Sequence, residues 1–122
     1  MQVGEISIHT ERIATRHVFE RWIWIHRGGD GKQRSLQAWA RDLSETGLAA
    51  FSAQTLALGE MVVLEIALSD VGTLKIPAKV ARTLGTEYGF QFTALSSEQR
   101  DGIRRSLREV PAVPTLRFKK KS

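Results

Sequence analysis

Ser35-Leu36-Gln37-Ala38-Trp39-Ala40-Arg41-Asp42-Leu43-Ser44-Glu45-Thr46-Gly47 is the stretch whose reading decides the fold. Its first half alternates, with Leu36, Ala38 and Ala40 on one face and Gln37, Trp39 and Arg41 on the other. A period of two is that of a strand buried on one side. The run then breaks into Asp42, Ser44 and Gly47, which is turn chemistry. Asp and Ser side chains bond local backbone amides, and glycine supplies a residue with positive φ. Polar alternation points to an antiparallel sheet, because parallel strands covered on both faces read as continuous apolar runs.

Outward from this stretch the same pattern recurs. Residues 17–26, with Val18, Phe19, Trp22, Ile23, Trp24 and Ile25, are β-branched and aromatic and predict a first strand. Gly28-Gly29-Asp30-Gly31 separates it from the second. Leu48 to Ser52 is a short third strand. Residues 60–68 point Val62, Leu64, Ile66 and Leu68 one way, and 73–83 do the same with Leu74, Ile76, Ala78 and Val80. Pro77 within that run predicts an edge position or a bulge, since proline donates nothing to a ladder. Tyr88 to Thr93 closes the set. Six short, regularly spaced strands predict an antiparallel barrel or sandwich. Trp22, Trp24 and Trp39, as strand tryptophans of a small barrel, are expected in the core.

The C-terminal part changes period. Ser96-Ser97-Glu98-Gln99 has the form of a capping box, with Ser96 as N-cap. Ile103, Leu107 and Val110 follow as an apolar stripe, and Pro111 ends the helix. The stripe is expected to lie across an open end or an edge of the barrel. The division expected is an N-terminal extension over 1–10, a barrel domain over 11–110, and a basic, flexible tail over 111–122.

A chain of 122 residues with 42% hydrophobic and 25% charged residues holds one ordinary globular domain. The absence of cysteine excludes disulfides and thiolate metal sites. His9, His17 and His26 lack the acidic spacing of a metal cage, so no metal or other cofactor is expected. Membrane insertion is not expected either, as no apolar run approaches the roughly 20 residues that span a bilayer. Met1 to Thr10 lacks the layout of a signal peptide, and a cytoplasmic location follows as the expectation. A net charge of +5 favours an anionic partner, although Lys119, Lys120 and Lys121 read as a solvated run. Nothing resembles a nucleophile with its base, a phosphate-binding loop or paired catalytic carboxylates, so an enzyme is not expected.

Two short patterns remain. Arg12-Ile13-Ala14-Thr15-Arg16 sets two arginines four apart ahead of the first strand, and Asp42-Leu43-Ser44-Glu45-Thr46-Gly47 follows the second. Each alone is bland: a basic stretch and a turn. In this order and setting they resemble the R-x-x-x-R and D/N-x-S-x-x-G signatures of the PilZ domain family. Gly59 before the fourth strand, Ala78 to Arg82 in the fifth, and Tyr88-Gly89-Phe90-Gln91-Phe92 are similar to that family too. The resemblance covers roughly residues 11–110. It implies a six-stranded antiparallel barrel with a C-terminal helix, acting as a non-enzymatic receptor for cyclic di-GMP.

The chemistry of that ligand suits these residue types. A guanine offers O6 and N7 as acceptors on one edge, which a guanidinium fork reaches together. The other edge carries N1–H and N2–H donors, which need an acceptor such as a carboxylate. By the resemblance, Arg12 and Arg16 would hold guanine edges and phosphates and stack on base faces. Asp42 would accept from guanine, Ser44 would contact phosphate or brace its turn, and Gly47 would allow close backbone approach. Arg82 would add a stacking or phosphate contact, or else is a solvated strand-end arginine. Glu11 stands where many family members carry a basic residue, and its repulsion of phosphates points to weak or single-molecule binding.

Ligand binding is expected to order residues 10–17 and to signal to a downstream protein partner. Two alternatives stay open. One is a nucleic-acid-binding β-barrel, favoured by the positive charge, the three tryptophans and the lysine run; DNA binding is not the expectation. The other is a PilZ-fold interaction adaptor that no longer binds the nucleotide.

Overall fold

The computed structural model describes residues 15–28, 33–69, 71–108, 110 and 112. Strands β1 (His17–Arg27), β2 (Arg34–Leu43), β3 (Gly47–Phe51), β4 (Met61–Leu68), β5 (Gly72–Leu84) and β6 (Glu87–Phe92) precede helix α1 (Ser97–Leu107). They close into a barrel in the order β1-β2-β3-β6-β5-β4, every neighbouring pair antiparallel. Closure rests on β1 against β4, where Trp24, Ile25 and His26 face Glu65, Leu64 and Val63. A closed barrel leaves no row of unpaired amides at a sheet edge.

The alternation read from the sequence is the alternation of burial. Leu36, Ala38 and Ala40 of β2 point inward, as do Val62, Leu64, Ile66 and Leu68 of β4 and Ile76, Ala78 and Val80 of β5. With Ile23, Ile25, Leu43 and Ile103 they form one core. Removing each such Val, Leu or Ile side chain from water contributes roughly 1.5–3 kcal/mol, and each alanine methyl about 0.8 kcal/mol, which supplies most of the driving force for closure. The hydroxyl of Tyr88 accepts from the Leu56 amide at 3.2 Å, so a buried polar tip ties the β3–β4 connection to the wall.

Pro77 lies at neither an edge strand nor a bulge. It pairs with Val63 of β4 and sits where the β5–β6 ladder runs out, accepting from the Thr93 amide at 2.9 Å. Its missing donor therefore falls at the end of a ladder, where none is needed.

The tryptophans are not in the core. Trp22 is 59% exposed, Trp24 41% and Trp39 36%, because inward positions of β1 and β2 are taken by Ile23, Ile25, Ala38 and Ala40. Alternation along each strand then leaves the tryptophans on the outer wall. Trp22 and Trp39 face each other across β1 and β2 on the outer wall, with ring centroids 5.1 Å apart at 74°. Phe51 extends this outer row onto β3.

Helix α1 begins with the expected box: the Ser96 hydroxyl accepts from the Gln99 amide at 3.0 Å, and the Gln99 side chain accepts from the Ser96 amide at 3.1 Å. Ile103 and Leu107 are buried, and Gly102 lies so close to Val71 that a Cβ there would meet its Cγ1 at 3.0 Å. The helix thus seats on the end of the barrel near the β4–β5 turn. Beyond it, the Val110 carbonyl lies 2.9 Å from Nδ1 of His17, and Ala112 makes an isolated antiparallel bridge to His17. The chain after α1 is therefore tied to the first residue of β1.

Candidate functional site

Three irregularities in the barrel shape one end of it. The β1–β2 register shifts between Val18 and Arg21, β2–β3 between Ala40 and Asp42, and β5–β6 between Val80 and Arg82. A bulge bends its strand and re-aims the side chains that follow. Here the latter two shifts fall immediately before Asp42 and Arg82. Arg16, which directly precedes β1, joins them around one open hollow of about 490 Å³. Ser44, Gly47, Gly89 and Gln91 complete its wall. A hollow of this size suits a small ligand with a few convergent polar groups around it.

Asp42 is the buried charge of this hollow, only 2% exposed. Nε of Arg16 stands 3.9 Å from Oδ1, and Nε of Arg41 stands 3.9 Å from Oδ2. Both separations give ion-pair attraction without a hydrogen bond. Oδ2 is buried and has no hydrogen-bond partner among the described residues. Burial pushes the carboxyl of Asp42 above its ordinary range, and attraction to Arg16 and Arg41 only partly opposes that. Arg41 does not close on Asp42 because its Nη1 donates to Oε2 of Glu87 at 2.6 Å. An acceptor is thus held out of water with an open lone pair, flanked by two cations.

Ser44 braces its own turn. Its hydroxyl oxygen accepts from the amides of Thr46 at 3.1 Å and Gly47 at 3.2 Å, while its amide donates to the Gly47 carbonyl at 2.9 Å. Gly47 does not have the positive φ that turn chemistry suggests; among the described residues those glycines are Gly59, Gly72 and Gly85. Its requirement is steric: a Cβ would lie 2.1 Å from the carbonyl oxygen of Phe90, so β3 can approach β6 only with glycine there. Glu45, at the tip of the same turn, pairs with Nε of Arg104 on α1 at 3.0 Å. Both partners are well exposed, so the pair orients more than it stabilises.

Arg16, Asp42, Ser44, Gly47 and Arg82 therefore converge, as the signatures imply. Arg12 and Glu11 lie outside the described residues, and so do the lysine run and the turn at 29–32. Arg41, Glu87, Gly89 and Gln91 were not singled out from the sequence. Arg41 adjoins Asp42 and Gly89 sits in the Tyr-Gly segment, but what each touches comes from strands 40 or more positions away, or from a bulge.

The model of the family described as "PilZ domain" matches residues 23–109. The chain belongs to the PilZ domain family. Solved PilZ folds resemble it closely in shape at low identity. The PilZ domain of CeSA from a cellulose-synthesising bacterium aligns at TM-score 0.59 and 21% identity, covering 76% of this chain and 94% of that one. The PilZ domain of YcgR from Escherichia coli, solved with c-di-GMP, aligns at TM-score 0.60 and 17% identity, covering 78% and 87%. The inhibitor of motility MotI/DgrA from Bacillus subtilis aligns at TM-score 0.62 and 15% identity, where this PilZ chain spans 51% of the longer protein. No curated protein sequence matches the chain. At these identities the likeness establishes the barrel and leaves the ligand to be argued from the residues.

Proposed function

We propose that this PilZ domain is a receptor for cyclic di-GMP, binding in the hollow lined by Arg16, Asp42, Ser44, Gly47 and Arg82. The observation that carries the reading is Asp42: a buried carboxylate whose Oδ2 has no donor, set between arginines. A guanine supplies the two N–H donors such a group lacks, and its O6/N7 edge and the phosphates suit the guanidinium groups. Arg12 would close over the same ligand from the segment ahead of β1. The YcgR PilZ domain solved with c-di-GMP supports the choice of ligand. The role is that of a non-enzymatic binding module.

Signalling to a partner is part of the proposal. Ligand capture by Arg12 and Arg16 reshapes residues 10–17, and His17 hands that change to Val110 and Ala112, with which it already makes contact. Amide exchange with and without ligand tests this, with added protection expected around residues 16–18.

Calorimetric titration with cyclic di-GMP, beside GMP and cyclic di-AMP, tests the ligand. Binding of the first alone at micromolar or tighter affinity is expected. Loss of about tenfold to a hundredfold in Arg16→Ala follows from removing a charged donor at a buried guanine edge. Equal affinity in wild type, Arg12→Ala and Arg16→Ala would overturn the assignment.

One observation favours a nucleic-acid reading: Trp22, Trp24, Trp39 and Phe51 are exposed on neighbouring strands. Single strands stack on such rings where free cations hold the backbone. Beside this row, however, Arg41 is paired to Glu87 and the His26 ring is hydrogen-bonded to Glu65 at 2.8 Å. Oligonucleotide titration at rising salt separates the two readings, because backbone binding weakens steeply with salt.

A further inference from the structure

Arg82 is exposed, lines the hollow, and has no hydrogen-bond or ion-pair partner among the described residues. A long cation in that position ordinarily samples many rotamers, at an entropic cost of up to about 2 kcal/mol when it is fixed. Its side chain lies along the wall against Gly89. The residue directly across from it on β6 is Gly89, and the β5–β6 register shifts just before this pair. A Cβ built on Gly89 would lie 2.8 Å from both Cγ and Nε of Arg82, and 3.2 Å from Cζ. Gly89 itself is buried although it stands on the rim of an open hollow, because the guanidinium end of Arg82 covers it. Its nearest neighbours at the Cβ position all belong to Arg82, not to the backbone.

We infer that Gly89 is a positioning residue: the notch it leaves on β6 seats the Arg82 guanidinium beside the hollow as a platform for a purine base. The inference rests on the cyclic di-GMP reading of the hollow and adds what organises it. The bulge after Val80 turns Arg82 toward the hollow, and the missing side chain at Gly89 lets it lie flat there without a polar partner. The donors of the guanidinium stay open for the ligand, and its plane is presented for stacking on a base. Asp42 is near enough to feel the charge of Arg82, so platform and acceptor belong to one site. Fixing the arginine before the ligand arrives removes an ordering cost from binding.

Glycine at this position has no backbone role that the structure requires. Among the described residues, positive φ occurs at Gly59, Gly72 and Gly85 and not at Gly89. An alanine there meets Cγ and Nε of Arg82 at 2.8 Å, side-chain atoms and no backbone, so the arginine has to move and the strands do not. Gly89→Ala therefore separates seating from folding.

The test is a thermodynamic cycle on the full chain. Cyclic di-GMP is titrated calorimetrically into wild type, Arg82→Ala, Gly89→Ala and the double variant, with Arg16→Ala alongside and thermal unfolding recorded for each. Gly89→Ala and Arg82→Ala are each expected to weaken binding on the order of tenfold, and the double variant no further than Arg82→Ala alone. Wild-type affinity in Gly89→Ala overturns the inference, and so does a loss that adds fully to that of Arg82→Ala. A second readout needs no ligand. The NMR order parameter of the Arg82 Nε–H is expected to be high in wild type and to fall in Gly89→Ala. Equal values in the two proteins overturn the seating. Absence of wild-type binding, or an Arg16→Ala variant that binds normally, strikes the ligand assignment and leaves the order-parameter result to judge Gly89.

Discussion

Asp42→Asn is expected to make the unliganded barrel more stable while weakening the nucleotide site. The carboxylate is buried, its Oδ2 accepts no hydrogen bond, and burial raises its pKa above the ordinary value. A buried acceptor left unmade costs about 1–3 kcal/mol, more when charged. Against that stands attraction to Arg16 and Arg41 at 3.9 Å. Unscreened, an effective dielectric constant of about 20 gives roughly 4 kcal/mol per pair. Both arginines are about two-fifths exposed, however, so solvent screening leaves about 1 kcal/mol or less for each. The neutral amide keeps the shape and still buries a polar atom, but it removes the charge, and with it the added cost of burying that charge and the attraction of the arginines. The net gain is about 1 kcal/mol near neutral pH, or roughly 4 °C in Tm for a domain of this size.

The pH dependence carries the sign. A raised folded pKa means that the native state holds the proton longer than the unfolded chain does. Stability relative to Asp42→Asn is therefore undiminished below the ordinary carboxyl value of 3.8, and falls as pH rises from there through the folded pKa. Chemical denaturation of both proteins from about pH 3 to 7 should show curves that meet in acid and separate toward neutrality. In parallel, titration with cyclic di-GMP should show a loss of about tenfold or more, since the amide brings its own donors and no charge. A variant less stable than wild type at neutral pH, or a difference independent of pH, would falsify this account of Asp42.

Other outcomes follow from the same geometry. Glu60→Gln should show the opposite pH signature: Arg27 donates to Glu60 at 2.6 Å and 3.1 Å and holds its carboxyl below the usual value of 4.5. The stability lost in this variant, about 1 kcal/mol above that value, should vanish as acid protonates the wild-type carboxylate through its lowered pKa, read by the same denaturation series. Gly47→Ala should destabilise by about 3 kcal/mol or more, because its Cβ would fall 2.1 Å from a backbone oxygen of β6; a midpoint close to wild type would refute the close approach. Arg16→Lys should weaken cyclic di-GMP binding nearly as much as Arg16→Ala, since an ammonium keeps the charge and loses the fork; affinity within twofold of wild type would show that charge alone suffices.

Much of this molecule was legible along the chain. The burial of Leu36, Ala38 and Ala40, the inward rows of β4 and β5, and the box at Ser96 and Gln99 are local matters. They follow from a period of two, a period near 3.6, and hydrogen bonds within three residues of one another. The signature turn also declared itself, since Ser44 bonds amides two and three positions on.

What tertiary structure alone decided depends on which residues the strand pairing sets side by side. Strand β1 is apolar on both faces, and only its register against β2 and β4 sent Ile23 and Ile25 inward and left Trp22 and Trp24 outside. Gly47 is needed because Phe90 lies against it. The donor-less oxygen of Asp42 persists because Glu87 holds Arg41, and Arg82 lies flat because Gly89 stands opposite a bulge. Spacing records neighbours three or four positions apart; a closed barrel brings together residues separated by 40 or more, and its bulges shift the count by one.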